Sequence, residues 1–422
     1  MMMMMMMMMM NTMGSSEVRQ ATDAFAVILS GHVVAHLYQR GDYTWLEWQD
    51  GYWDDPNRPV LGLYFEDHPR KQVASALRVP PWFSNLLPEG KLREWVARDA
   101  RVSPAREMML IRRLGADLPG AVAVIPVPSP ADPRWDPTQI VEYLPPPNVA
   151  DARFRFSLAG LAPKFSMIQD GDRLTLPGRD QYGDWIVKLP DAVYPNVPEN
   201  EFAIMTLASK CGIDVPRVEL IHRDSLSQLP DTVWPAGQEL AYAVARYDRS
   251  SNGRVHAEDL CQVRGFYPED KYRGSFETVA ALAYRGRDIE SYREFLRRLF
   301  FSYAIGNGDM HLKNVSLLYR DGRVPSLSPA YDLVCTVPYV TDSVDDLGLK
   351  LNGSRRFERV SPTSFINLSE KMGVSESVTL SVIHEVSQNL MDSWSQVEPM
   401  FSSLPAHRTW LSSRLPDVCS RF

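Results

Sequence analysis

Between residues 126 and 147 the chain carries Pro126, Pro128, Pro130, Pro133 and Pro137, then Pro145 to Pro147. Each proline fixes φ and removes a backbone donor, so a run of this density fits neither a helix interior nor a central strand. The chain must therefore fold as separately organised parts with a first boundary here. Its 422 residues allow two or three domains. With 45% hydrophobic and 23% charged residues, the parts can bury enough apolar surface to offset their ordering entropy, which excludes a wholly disordered or fibrous protein.

Before the boundary, Phe25 to Leu29, Val33 to Tyr38 and Tyr43 to Trp48 are β-prone runs separated by Ser30-Gly31 and Arg40-Gly41-Asp42, which reads as an antiparallel meander. Lys91 to Arg98 and Pro104 to Leu114 read as helices, the second stopped by Gly115. After it, Arg153 to Leu158, Phe165 to Ile168 and Asp184 to Leu189 read as strands. Glu199 to Cys211 has helical spacing, and Val218 to Ile221 and Leu240 to Tyr247 read as strands. From Phe276 onward the periods are helical, at Thr278 to Tyr284, Tyr292 to Ile305 and Val374 to Trp394. The expectation is an α+β fold: an N-terminal β-rich subdomain over 17–130, a small β-rich lobe over 150–247 and a larger helical lobe over 248–422. The natural site of such a bilobal core is the cleft between its lobes.

A net charge of −7 argues against a generally basic nucleic-acid binder. No apolar run reaches the ~18 residues of a membrane span. Met1 to Met10 is a homopolymer without pattern or cap, so 1–16 is expected to be a disordered tail; it lacks the features of an export signal. Cys211, Cys261, Cys335 and Cys419 form no CxxC pair and have no zinc spacing, as expected of reduced cysteines in a cytoplasmic protein.

The stretch Gly306-Asn307-Gly308-Asp309-Met310-His311-Leu312-Lys313-Asn314 leaves an amphipathic helix and enters the apolar strand Val315 to Tyr319. Asp309 and Asn314 stand five residues apart, the spacing of the Asp and metal-binding Asn in a kinase catalytic loop. An Asp/Asn turn explains that pair alone equally well. A second carboxylate, Asp332, follows a hairpin turning at Arg320 to Arg323, and antiparallel geometry returns it beside Asn314. Two hard oxygen ligands at one cleft suit magnesium, completed by phosphate and water.

Phosphate also needs a cation. Lys188 in Trp185-Ile186-Val187-Lys188 alternates with apolar residues on a strand, where an unpaired charge is costly, so it requires a partner or an anionic ligand. Glu201 on the next helix is one candidate partner. Upstream, Ser157-Leu158-Ala159-Gly160-Leu161-Ala162-Pro163-Lys164 has small residues that let backbone amides approach phosphate, with Lys164 adding charge, although a plain hairpin explains it as well.

Taken with Asn85 to Gly90, Arg246 to Arg249, His256, Glu258 to Gln262 and Pro329 to Leu333, these residues resemble the HipA family of bacterial serine/threonine kinases, toxins of HipBA toxin–antitoxin modules. The resemblance implies ATP-dependent phosphorylation of a protein, such as an aminoacyl-tRNA synthetase or another translation component, and growth arrest. It implies Asp309 as catalytic base with His311 supporting the loop, Asn314 and Asp332 as magnesium ligands, and Lys188 as the ATP-phosphate lysine. Arg246, Tyr247 and Asp248 would form the adenine hinge, and Ser157, Ala159, Gly160, Lys164 and Lys313 would belong to the nucleotide site. Ser157 matches the family's autophosphorylated serine. The implied partner is a HipB-like helix-turn-helix antitoxin, through which alone DNA would be contacted; no membrane is implicated. Two departures stand out: Gly160-Leu161-Ala162 replaces the family's Gly-Ala-Gln, and Arg273-Gly274 replaces a glycine pair. The competing readings are a small-molecule phosphotransferase of the aminoglycoside or choline kinase type and an inactive, partner-binding pseudokinase.

Overall fold

The computed structural model describes residues 22–69, 71–128, 164–171, 173–175, 183–227, 229, 234–340 and 346–422. The Met-rich tail, the strand expected at 153–158 and the loop residues Ser157, Ala159 and Gly160 lie outside them. The first part is an antiparallel sheet in the order β4-β3-β2-β1-β5, built from β1 Asp23–Leu29, β2 His32–Arg40, β3 Tyr43–Trp48, β4 Val73–Ala76 and β5 Val122–Val127. The meander forms where its turn residues direct it, with Gly31 and Gly41 at positive φ. Pro126 belongs to β5, opposite Phe25, rather than to the connecting segment. β5 lies at the sheet edge, where a missing N–H is tolerated. The helices Gly90–Asp99 and Glu107–Leu114 cover this sheet close to the expected positions.

The second sheet, also antiparallel, runs β7-β6-β8-β10-β9 from β6 Lys164–Asp170, β7 Arg173–Thr175, β8 Trp185–Lys188, β9 Val218–His222 and β10 Leu240–Ala245. Its period-two alternation sorts the side chains. Phe165, Met167, Trp185, Val187, Ala241 and Ala243 point one way, into a core continuous with Phe25, Leu37, Trp82 and Leu110 of the first part. Tyr242 and Val244 point the other way, towards the helix Val197–Lys210 and the helical lobe. The small lobe is thus packed between the N-terminal part and the rest of the chain, an arrangement that the order of elements along the sequence does not reveal.

The helical lobe holds Phe276–Tyr284, Ile289–Ala304 and Glu376–Val397 near the expected places, together with Pro362–Met372 and Pro405–Cys419, which periodicity alone does not disclose. Both of the latter start on a proline, and the second carries Pro416 inside it, so local signals suggest breaks where packing keeps helix. Among the described residues no helix is long and apolar enough to cross a membrane. After a two-stranded pair, β11 Arg249–Ser250 with β12 Gly253–Arg254, a three-stranded sheet joins β13 His256–Asp259, β14 Ser316–Tyr319 and β15 Ser326–Leu327.

β13 locks the N-terminal part in place. The buried Glu258 carboxylate accepts from the Leu63 amide and Trp82 Nε1, each at 2.9 Å, and from the Tyr319 hydroxyl. His256 Nε2 meets the Leu61 carbonyl at 2.9 Å. Burial pushes the His256 imidazole down to about 4, below its ordinary 6.5. The unfolded chain therefore binds that proton first: the stability is fully present above pH 6.5 and is lost as pH falls to about 4. Replacing His256 by Gln is expected to flatten the pH dependence of stability in that window by about 1.4 kcal/mol per pH unit. Urea unfolding of both proteins at pH 7, 6 and 5 checks it; parallel curves would contradict it.

Candidate functional site

The register of the second sheet creates the site's central problem. Lys164 lies directly opposite Lys188, and Lys188 directly opposite Tyr242, so two ammonium groups share one face. Like charges in that relation are destabilising unless an anion sits between them. Asp332 supplies it: Oδ1 accepts from Lys188 and Oδ2 from Lys164, the latter at 3.3 Å. Glu201, buried on the helix Val197–Lys210, accepts from Lys188 at 2.5 Å, the pairing considered from sequence.

The electrostatics follow from burial and neighbours. Burial opposes the charge on Lys188, but Asp332 and Glu201 outweigh it and hold its pKa above the ordinary range. Lys164 is pushed down by burial and by the Lys188 charge, which Asp332 only partly offsets. Burial would raise Asp332, yet Lys164 and Lys188 hold it well below the usual carboxylate range. Glu201 is raised by burial, only partly offset by Lys188. Asp332 also takes φ 55°, the left-handed region that a non-glycine residue enters at a cost. Its neighbour is pinned by the Tyr331 hydroxyl, which donates to the Lys313 carbonyl at 2.8 Å and lies 2.6 Å from Ser316 Oγ.

The polar loop begins where the helix Ile289–Ala304 ends. Gly306 turns the chain at φ 66°, and a Cβ there would lie 2.3 Å from the Trp410 ring, so only glycine fits. The Gly308 amide donates to Thr336 Oγ1 at 2.8 Å and the Asp309 amide to Asn307 Oδ1 at 3.0 Å. Asn314 Nδ2 donates to the Asp309 carbonyl at 2.9 Å, which closes the loop on itself and leaves Oδ1 as the side chain's acceptor. The expected hairpin is present, with Leu317 opposite Leu327. Asp309, Asn314, Asp332, Lys164, Lys188 and Glu201 line one cavity of about 670 Å³, within the ~300–1,000 Å³ of small-molecule sites.

The remaining expected residues divide. Arg246, Tyr247 and Asp248 line the same cavity, but the Arg246 guanidinium is committed to a bidentate pair with Asp248, at 2.9 and 2.8 Å. Asp248 also accepts from the Gly120 amide at 2.8 Å, which fastens the N-terminal part to the cavity's rim. Despite burial, Arg246 and Arg249 hold the Asp248 carboxyl well below the usual range. Tyr247 stacks on Tyr331 with centroids 5.6 Å apart. Lys313 has its ammonium engaged by Asp259 at 3.0 Å and Asn85 Oδ1 at 2.9 Å. It therefore anchors the N-terminal part to the loop, and in this state it offers no free charge to a phosphate. His311 Nε2 is 3.9 Å from Asp309 Oδ1, too far for a hydrogen bond. Burial and the nearby Lys271 push its pKa down to about 3, so it is neutral at pH 7. The residue that touches Asp309 Oδ1 is Tyr272, through its hydroxyl. Sequence contains Lys271-Tyr272 but no signal of that role. It likewise hides the contribution of Asn85, Glu89 and Gly120 to the cavity wall.

The donor set can be tested against magnesium. Among the described residues no group of three His, Cys, Asp or Glu stands together as a metal site. Asp332 and Asn314 offer two hard oxygens in a cavity with room beside them, the kind of partial set that magnesium completes with phosphate and water. Two opposed lysines on the facing sheet suit the charge of such a phosphate.

The HipA-like C-terminal domain profile matches residues 156–394 and the HipA N-terminal domain profile residues 25–125. Y4dM of Sinorhizobium fredii, provisionally named a kinase, is 41% identical over 379 residues, covering 87% of this chain and 90% of that protein. The serine/threonine-protein kinase toxin HipA of Shewanella oneidensis is 27% identical over 310 residues, covering 64% of this chain and 66% of that one. A solved complex of Shewanella oneidensis HipA, HipB and operator DNA contains a chain that superimposes with a TM-score of 0.72 at 20% identity, covering 94% of this chain and 97% of that one, which establishes the shared fold. With both family domains present in order and a relative of this identity matched along most of its length, the chain belongs to the HipA family of serine/threonine protein kinases.

Proposed function

We propose that this chain is the toxin kinase of a toxin–antitoxin pair, transferring the γ-phosphoryl group of ATP to a serine or threonine hydroxyl of a protein. The observation that carries the reading is the convergence of Lys164 and Lys188 on Asp332 in the cavity that also presents Asp309 and Asn314. In this reading Lys188 and Lys164 turn from Asp332 to the nucleotide phosphates, and Asn314 and Asp332 hold Mg²⁺. Bound ATP and Mg²⁺ supply the phosphoryl group and screen its charge. Asp309 orients the acceptor hydroxyl and takes its proton; although half of its side chain stays accessible, desolvation by the surrounding cleft walls raises its carboxyl above the ordinary value, against the Tyr272 hydrogen bond. Arg246 and Asp248 hold the hinge turn after β10 against the N-terminal part, leaving backbone groups and Tyr247 for the base.

The family resemblance supports a translation component, such as an aminoacyl-tRNA synthetase, as acceptor, and Ser157 as an autophosphorylation site. A phosphate there would add nearly two negative charges to the segment that the resemblance assigns to the ATP phosphates, which is a physical route to self-inactivation. The Shewanella oneidensis complex supports a HipB-like helix-turn-helix antitoxin as partner, with DNA reached through it in the cytoplasm.

Incubating the purified chain with γ-labelled ATP, magnesium and a cell lysate tests this reading. Label is expected on serine or threonine of a lysate protein and on the chain itself, the self-label lost in Ser157→Ala and all label lost with EDTA. Label appearing only on small molecules would replace the reading with the phosphotransferase one, and no label at all would overturn it.

A further inference from the structure

Asp309 poses a problem that the loop's own hydrogen bonds do not solve. Its side chain is 51% exposed, so packing alone restrains the carboxylate's rotamer only weakly. The bonds from Asn307 and Asn314 fix only its backbone. His311 stands 3.9 Å away and is neutral, so it provides neither a hydrogen bond nor an ion pair. The Tyr272 hydroxyl donates to Oδ1, and among the described residues no donor meets Oδ2.

Tyr272 is itself tightly placed. Its carbonyl accepts from the Arg355 guanidinium at 2.8 Å, and the Leu312 amide donates to the preceding Lys271 carbonyl at 3.1 Å. Its ring meets His311 edge-on with centroids 5.0 Å apart and lies 5.9 Å from the Arg355 guanidinium. The buried His311 therefore reaches Asp309 through Tyr272: imidazole holds ring, and ring presents the hydroxyl. The logic is that of a base oriented by a third group.

We propose that Tyr272 is a positioning residue for phosphoryl transfer, whose hydroxyl ties down Asp309 Oδ1 so that Oδ2 is the oxygen presented to the acceptor hydroxyl. This rests on the reading of Asp309 as the base. A phenol stiffened by its neighbours is better suited to the task than a lysine, because a neutral donor restrains the carboxylate while lowering its basicity less than an ammonium would.

The test is the kcat and KM of the full-length chain and of Tyr272→Phe, Tyr272→Ala and Asp309→Asn, with label transfer to a lysate protein as readout. Tyr272→Phe keeps the ring on His311 and deletes only the hydroxyl. It is expected to lower kcat roughly tenfold, the scale of a hydrogen bond to a charged group, with KM for ATP unchanged. Tyr272→Ala is expected to lower kcat at least as much. If the ring merely packs, Phe will match wild type while Ala fails, and the proposal is overturned; a rise in KM for ATP equal to the fall in kcat overturns it too. Should Tyr272→Phe not fold, Arg355→Ala, which releases the Tyr272 carbonyl, is expected to show the same split at roughly threefold, and an unchanged kcat there would reject the proposal. If Asp309→Asn keeps wild-type transfer, the base reading itself fails, an outcome separate from a wild-type Tyr272→Phe beside an inactive Asp309→Asn.

Discussion

Asp332→Asn is expected to abolish detectable phosphoryl transfer and also to destabilise the fold by about 3 kcal/mol, the lower end for breaking a buried ion pair. The lower end applies because the Asp332 side chain keeps 21% of its surface exposed. The stability loss arises because Lys164 and Lys188 face each other across β6 and β8, and removing the carboxylate leaves Glu201 alone to compensate both. Asparagine is the informative replacement, since it tolerates the left-handed backbone at this position and isolates charge from strain. The pH dependence has a definite sign. A carboxyl held below its ordinary 3.8 in the folded state contributes stability above that value and loses it as pH falls further, so wild type and variant should differ at pH 7 and converge in acid. Urea unfolding beside label transfer measures both effects, and a variant as stable as wild type at pH 7 would show that the lysine pair is neutralised in some other way.

Asp309→Asn is expected to behave differently: kcat falls by roughly 10²–10⁴, the range of a lost general base, while ATP affinity and stability stay as in wild type. The contrast comes from environment. Asp309 is half exposed and makes no ion pair with Lys164 or Lys188, so losing its charge frees no buried cation. Asparagine keeps an oxygen for the Tyr272 hydroxyl and leaves the backbone bonds from Asn307 and Asn314 untouched. Fluorescent-nucleotide binding with single-turnover transfer separates the two quantities, and a parallel loss of both would mean that Asp309 holds nucleotide rather than the acceptor.

Much of the site is legible along the chain because its chemistry is out of keeping with its surroundings. Asp309, Asn314 and Asp332 interrupt apolar segments, and Lys188 stands among Trp185, Ile186, Val187 and Leu189, all of which ask for a polar partner. Lys164 is different. As sequence it is a loop cation, and only the pairing of β6 with β8 places it opposite Lys188; register is a property of two strands, not one. Lys313 depends on tertiary structure in the same way: it lines the cavity, but the partners of its ammonium are Asn85 and Asp259, far away in the chain.

Sequence by itself determined the β-rich and helical parts and the residues whose charge would be costly without partners, because these depend on local periodicity and on the price of burying polar groups. Tertiary structure decided that the small lobe's sheet is packed between the N-terminal part and the helical lobe, that Asp332 bridges the opposed lysines, and that Tyr272 instead of His311 touches Asp309. Those facts join residues far apart in the chain, from Trp82 against Glu258 to Lys164 against Asp332. No local pattern carries such distances, since they are set only when whole elements pack and each buried donor finds its acceptor.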